Sequence, residues 1–202
     1  MAHTATAAPG TLQLDHVLCM VDPEDDWEQR LEAGRWTLDA GTSHPGQGTR
    51  NRRLVWAQQY LELVWIEDRA DARTNPLRLD RRADWARTGA SPFGFGFRGQ
   101  PRPEQRAAFW LYTDLGFRIW VHRDNEHRPD RPLVFVLDLP PRSVTGHAES
   151  LLRIDQHGPA PADVPAYAGP RVLHRPGPHR LELFVDAGHP VDVAGHLAIR
   201  IA

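Results

Sequence analysis

Three side chains in this sequence could form the centre of a chemical site: His16 in "LDHV", Glu62 in "YLEL" and Glu182 in "RLELFV". The stretch "LQLDHVLCMV" (12–21) alternates as a strand does. His16 then shares a face with Leu14, Leu18 and Met20, while Asp15, Val17, Cys19 and Val21 take the other. In "YLELVWIED" (60–68), Glu62 shares a face with Tyr60 and opposes Leu61, Leu63 and Trp65. If a helix covers the apolar faces of both strands, His16 and Glu62 look into one concavity. An imidazole nitrogen and a carboxylate oxygen there make half of a tetrahedral or octahedral site for a divalent ion. The same pair could also serve as a general base and its orienting partner. Glu62 and Glu182 sit in matching Leu-Glu-Leu strands near the ends of the two halves, so Glu182 is the candidate third ligand and, with Glu62, a candidate proton carrier.

The loop "SHPGQGTRNRRL" (43–54) is richer than a hairpin turn requires. Pro45, Gly46 and Gly48 shape its backbone. His44, Thr49 and Asn51 could offer side chains to a ligand, and Arg50 or Arg52 could hold a substrate carboxylate. Tyr60 and Trp120 are the aromatic candidates for the cavity wall. Trp120 alternates with Arg118 and with His122, which together with His127 is a spare ligand candidate.

Elements that could position these groups follow in order. After the 12–21 strand, "DPEDDWEQRLEAG" (22–34) reads as a helix, with acids at its start, Trp27 and Leu31 four apart, and Gly34 at its end. Strands are expected over 35–41, 52–59 and 60–68, the last two joined near Gln58 and Gln59. A polar, partly helical connector covers 69–91. A second run has a strand at 92–99, a helix at 103–116 and strands at 117–125 and 131–139. The segment 146–155 is ambiguous between strand and helix. A Pro-rich loop spans 158–178, and strands return at 179–187 and 196–202. The organisation expected is a disordered tail (1–11), a first module (12–68), the connector (69–91) and a second, divergent module (92–202).

Bulk properties exclude several classes. The net charge of −2 points neither to nucleic acid nor to an anionic membrane surface. All 24 basic residues are Arg, a pattern most simply set by genome composition. The lone Cys19 rules out an internal disulfide and a cysteine-rich zinc cluster. No apolar run reaches the roughly 20 residues of a membrane span. The N-terminal residues lack a signal-peptide pattern, so the expected location is cytoplasmic. "PFGFGFRG" (92–99) lacks the Gly-Lys-Ser/Thr ending of a phosphate loop. Its glycines read as strand positions where other groups come close.

Taken together, "LDHV" (14–17), a helix, "HPGQGTRNR" (44–52) and "YLEL" (60–63) resemble the glyoxalase-like branch of the vicinal oxygen chelate superfamily. The resemblance is closest over the first third of the chain and looser through "TGASPFGFGFR", "PLVFVLDL" and "SVTGHAESLLRI". It implies an α+β fold of paired βαβββ modules forming a cupped mixed sheet around one cavity, with helices on the outer face. Ligands in such proteins come from the first and last strands of each module, which here implies His16, Glu62 and Glu182 around Zn, Ni, Fe or Mn. The fourth place falls in "SPFGFGFRG", which offers only Phe and Gly. Two functions stay open: a metal-dependent lyase, isomerase or dioxygenase acting on a small oxygen-rich molecule, or a metal-free protein that binds or sequesters such a molecule. The partner in either case is a small molecule, and pairing as a homodimer stays open beside pairing within one chain.

Overall fold

The computed structural model describes residues 11–114, 116–143, 146–163 and 166–202. The tail expected over 1–11 lies, but for Thr11, outside them. The first unit is β1 (Leu12–Met20), α1 (Trp27–Ala33), β2 (Thr42–His44), β3 (Thr49–Val55) and β4 (Tyr60–Ile66). Three short helices follow, α2 (Arg69–Thr74), α3 (Leu79–Ala83) and α4 (Trp85–Thr88). The second unit is β5 (Phe93–Arg98), a 3-10 helix (Pro103–Ala108), β6 (Phe109–Asp114), β7 (Phe117–His122), α5 (Asp124–His127) and β8 (Leu133–Leu137). The chain closes with β9 (Leu151–His157), β10 (Tyr167–Ala168), β11 (Arg171–Arg175), β12 (Arg180–Val185), β13 (Val191–Ala194) and β14 (Leu197–Ile201).

The first eight strands form one curled mixed sheet in the order β2-β3-β4-β1-β5-β8-β7-β6, with β10 added beside the start of β1. The two halves mirror each other across the antiparallel β1–β5 contact. In each half the last strand runs parallel to the first, β4 beside β1 and β8 beside β5. This is the α+β cupped sheet of paired modules that the resemblance implies. The second module, however, is complete at β8. Strands β9 and β11–β14 build a separate sheet in the order β11-β9-β12-β14-β13, packed on the back of the cup. The expected unit over 92–202 is therefore two structures. β8, not the Leu-Glu-Leu strand β12, is the counterpart of β4.

Alternation in "FGFGF" explains how the layers meet. Phe93, Phe95 and Phe97 are buried in the core with Leu61, Leu63, Val134, Leu181, Leu183 and Ile199. Gly94 and Gly96 turn the other way, into the cup. The back is thus covered by a sheet together with α1, whose Trp27 and Leu31 join the same core. Helices are not confined to that outer face, because the connector brings Leu77 and Leu79 to the cavity itself. The helix expected over 103–116 stops at Ala108. The aromatic-rich "FWLYTD" instead pairs with β7 from Phe109↔His122 to Asp114↔Phe117, as suits such residues. The strand expected over 35–41 shrinks to one Leu38–Leu54 bridge, and β2 forms just after it.

The loop between β2 and β3 docks on the connector. Gly48 O accepts from the backbone N–H groups of Glu67 and Asp68, and Gly46 O accepts from Asn75 Nδ2 at 2.9 Å. Gly48 has φ +68°, and a Cβ there would lie 2.1 Å from Asp68 O and 2.5 Å from Ala72 N. Gly48→Ala is expected to cost on the order of 3 kcal/mol in urea unfolding. Gly46→Ala, with φ +81° but open space around it, should cost only about 1 kcal/mol. Equal costs would refute the docking account.

Candidate functional site

A break in β1 creates the centre of the site. β1 pairs with β5 as Leu14↔Phe97 and then His16↔Gly96, so Asp15 is an extra residue, a bulge. The bulge flips the phase of the strand. Leu12 and Leu14 lie in the same core as Val17 and Cys19, while Leu18 and Met20 pack separately with Val64. Strict alternation would have placed Leu14 with His16 and sent Asp15 to the far face. Instead the Asp15 carboxylate, fully buried, reaches His16 Nδ1 at 2.9 Å.

On its other edge, His16 Nε2 lies 3.4 Å from the Glu62 carboxylate. The ring stacks on Tyr60 with centroids 4.5 Å apart and planes 14° apart, and Phe135 meets it edge-on. Its remaining face rests on Gly96, where a Cβ would sit 2.4 Å from His16 Cε1. Burial alone would lower the pKa of His16. Hydrogen bonds and charges from Asp15 and Glu62 overcome that and push it up to about 9, so the ring is an imidazolium at neutral pH. Burial likewise disfavours the two carboxylates, but His16 reverses the effect and holds both below the usual range. Arg98 and Arg142 assist at Asp15, and Asn51 at Glu62.

Around this core lies a cavity of about 370 Å³ lined by both halves of the cup. His16, Glu62, Tyr60, His44 and Asn51 all line it. Asn51 is fixed at both ends of its amide, accepting from Thr42 N at 2.9 Å and donating to Glu62. Thr49 is buried behind the lining, 3.2 Å from His44 Nδ1. Three other expected residues lie elsewhere. Arg50 has the opposite parity to Asn51 and pairs with Glu67 outside the cup. Trp120 turns to the core with Arg106 over its ring, because the β7 register sends Ile119 and Val121 to the cavity. Glu182 lies on β12 in the second sheet, where it meets Arg180, Arg200 and His157. Of the further candidates, Arg52 pairs with Glu28, His122 packs on Phe109, and His127 is exposed beside Glu126.

Asp15, Arg53, Arg98 and Arg142 are the site residues that sequence reading missed. Arg53 carries a usable signal, since it shares Asn51's parity on β3. Arg98 and Arg142 reach the site through Asp15, whose Oδ1 accepts from both Nε atoms. That arrangement depends on the bulge, which alternation does not reveal.

His16 Nε2 and Glu62 are two donors of the kind a divalent ion takes. The facing positions on β5 and β8 are Gly94, Gly96, Leu133, Phe135 and Leu137, none of them a donor side chain. Among the described residues no group of three or more His, Cys, Asp or Glu could hold a metal ion. The donor set therefore does not fit a metal held by the protein alone. Also among the described residues, no helix is long and apolar enough to cross a membrane.

Residues 14–194 match the family model described as "glyoxalase-like domain". Nothing among curated proteins matches the chain. Among solved structures, a hypothetical protein from Staphylococcus aureus is similar at 8% identity and a TM-score of 0.60, over 95% of this chain and 100% of that one. Methylmalonyl-CoA epimerase from Mycobacterium tuberculosis is similar at 16% identity and a TM-score of 0.45, over 68% of this chain and 95% of that one.

Proposed function

The chain belongs to the glyoxalase-like domain family of the vicinal oxygen chelate superfamily, and from that premise we propose that it binds a small oxygen-bearing molecule in the cup through its own side chains, without a metal held by the protein. The supporting observation is the state of His16. Its ring is clamped as a cation between two carboxylates, with Gly96 standing where a second-module ligand would be expected. The Glu62 contact at 3.4 Å is long for a charge-assisted hydrogen bond, so Nε2–H can turn to a ligand oxygen. Tyr60 and Asn51 hold the imidazolium and Glu62 in place beside that oxygen, and His44 lines the same cavity. His16 and Glu62 then share a proton within reach of the ligand.

Elemental analysis of untagged protein, with titration by Zn²⁺, Ni²⁺, Fe²⁺ and Mn²⁺, tests this reading. It predicts sub-stoichiometric metal and no saturable binding that depends on His16. One equivalent of metal, lost on His16→Ala, would overturn it in favour of a metal-dependent lyase, isomerase or dioxygenase with Glu62 as ligand and proton carrier.

A further inference from the structure

The cavity has two chemically different walls. Its polar wall comes mainly from β1–β4, and its apolar wall from the connector, β7, β8 and the segment just after β8: Leu77, Ile119, Leu133, Phe135, Leu137 and Leu139. The polar wall is charge-rich. Three arginines, Arg53, Arg98 and Arg142, line it. Asp39 takes Arg53 Nε at 2.5 Å, and Asp15 lies behind His16. Asp15 alone serves both other arginines and His16, using Oδ2 for His16 and Oδ1 for both arginines. Each arginine thus reaches Asp15 through Nε. Arg98 Nη1 reaches Pro140 O at 3.3 Å, while the two terminal nitrogens of Arg142 have no hydrogen-bond partner among the described residues. The Arg142 guanidinium lies over Tyr60 at 5.1 Å, next to the imidazolium stack.

A guanidinium with both terminal nitrogens available is a fork for a carboxylate. A neutral ligand would leave the Arg142 fork unanswered, and a ligand charged along its length would desolvate against the leucines. We propose that the cup selects an amphipathic monoanion, a carboxylate head at Arg142 and Arg98 with an unbranched or ring-bearing apolar body along the β7–β8 wall. This rests on the reading of the cup as a metal-free binding site and names the class of molecule it takes.

Isothermal titration of the full chain with hexanoate, octanoate, 1-octanol and octylamine tests the proposal. Octanoate is expected to bind at least tenfold tighter than octanol, and octylamine not to bind. Each two methylenes added along the wall should tighten binding roughly tenfold, which places hexanoate below octanoate. Arg142→Gln should weaken octanoate about tenfold and leave octanol unchanged. Because Arg142 also supports Asp15, the comparison of three headgroups on the unaltered protein stands as a test by itself. Octanol or octylamine binding as well as octanoate, or no saturable octanoate binding at millimolar concentration, would overturn the proposal. Octanol preferred and seated in the cup would refute the anion while leaving the binding reading intact. A stoichiometric, His16-dependent metal would overturn both.

Discussion

Between about pH 6 and pH 8.5 the protein is expected to lose on the order of 2 kcal/mol of stability, and His16→Gln is expected to abolish that loss. The sign follows from the direction of the shift. The His16 imidazolium has a pKa of about 9 in the fold, against an unfolded value near 6.5. Its contribution is fully present below pH 6.5 and disappears as pH rises through 9. Asp15 and Glu62 are shifted the other way, so their contribution is present above about pH 4 and disappears in acid. The plateau between them should lie near pH 5 to 6.5. Below about pH 8.5 this can be read cleanly, because the chain has no lysine. Above it the buried Cys19, held up by burial in the fold while an unfolded thiol titrates at about 8.5, adds a loss of its own, and the buried Tyr60 does the same from about pH 10. His122, His179 and His196 are lowered by burial, so they act on the acid side. His16→Gln should also cost about 3 kcal/mol at pH 6, since it leaves the buried Glu62 without its cation and Asp15 with Arg98 and Arg142 alone. Urea denaturation at closely spaced pH values measures both effects. A flat profile between about pH 6 and pH 8.5, or the same decline there in the variant, would remove His16 as the charged centre.

What could be read from the sequence, and what could not, divides along physical lines. The cupped sheet was legible through the resemblance carried by "LDHV", "HPGQGTRNR" and "YLEL", with β1 and β4 themselves legible as strands from their alternation. So was the pairing of His16 with Glu62, which needs only that two parallel neighbours face the same way. Asp15 was missed because a bulge changes parity without leaving a mark in an alternating string. Trp120 was misplaced for a related reason: one residue of register decides which face of β7 is inside. The Leu-Glu-Leu echo misled because tripeptide similarity carries no information on strand order. β12 lies between β9 and β14, and the true counterpart of β4 is the featureless "LVFVL" of β8. Arg50 and Arg53 show the limit most simply. Both are arginines in one run, and only the facing of Asn51 tells them apart.

Gly96→Ala should damage the site more than its single methyl suggests. The new Cβ would lie 2.4, 2.7 and 2.8 Å from His16 Cε1, Nε2 and Nδ1, inside the ring's own volume. The ring cannot back away, because Tyr60 is stacked on its other face and Asp15 and Glu62 hold its two nitrogens. Relief requires the imidazole to swing out, breaking the stack and both charged contacts. Overpacking costs about 1–3 kcal/mol, and freeing the carboxylates adds to it. Gly94→Ala is the matched control. It lies on the same strand and faces the same way, but its Cβ would meet Leu133 and Leu18 at 3.2–3.4 Å and touch no part of His16. The two variants separate packing from chemistry. Gly94→Ala should lower the melting temperature modestly and keep the His16 pKa near 9. Gly96→Ala should bring that pKa back toward 6.5, read from the imidazole nitrogen shifts by NMR. The same His16 pKa in both variants would mean that the glycine is a mere strand position. A drop in Gly96→Ala alone would explain why the second half of the cup carries no side chain there: that place is taken by the histidine of the first half.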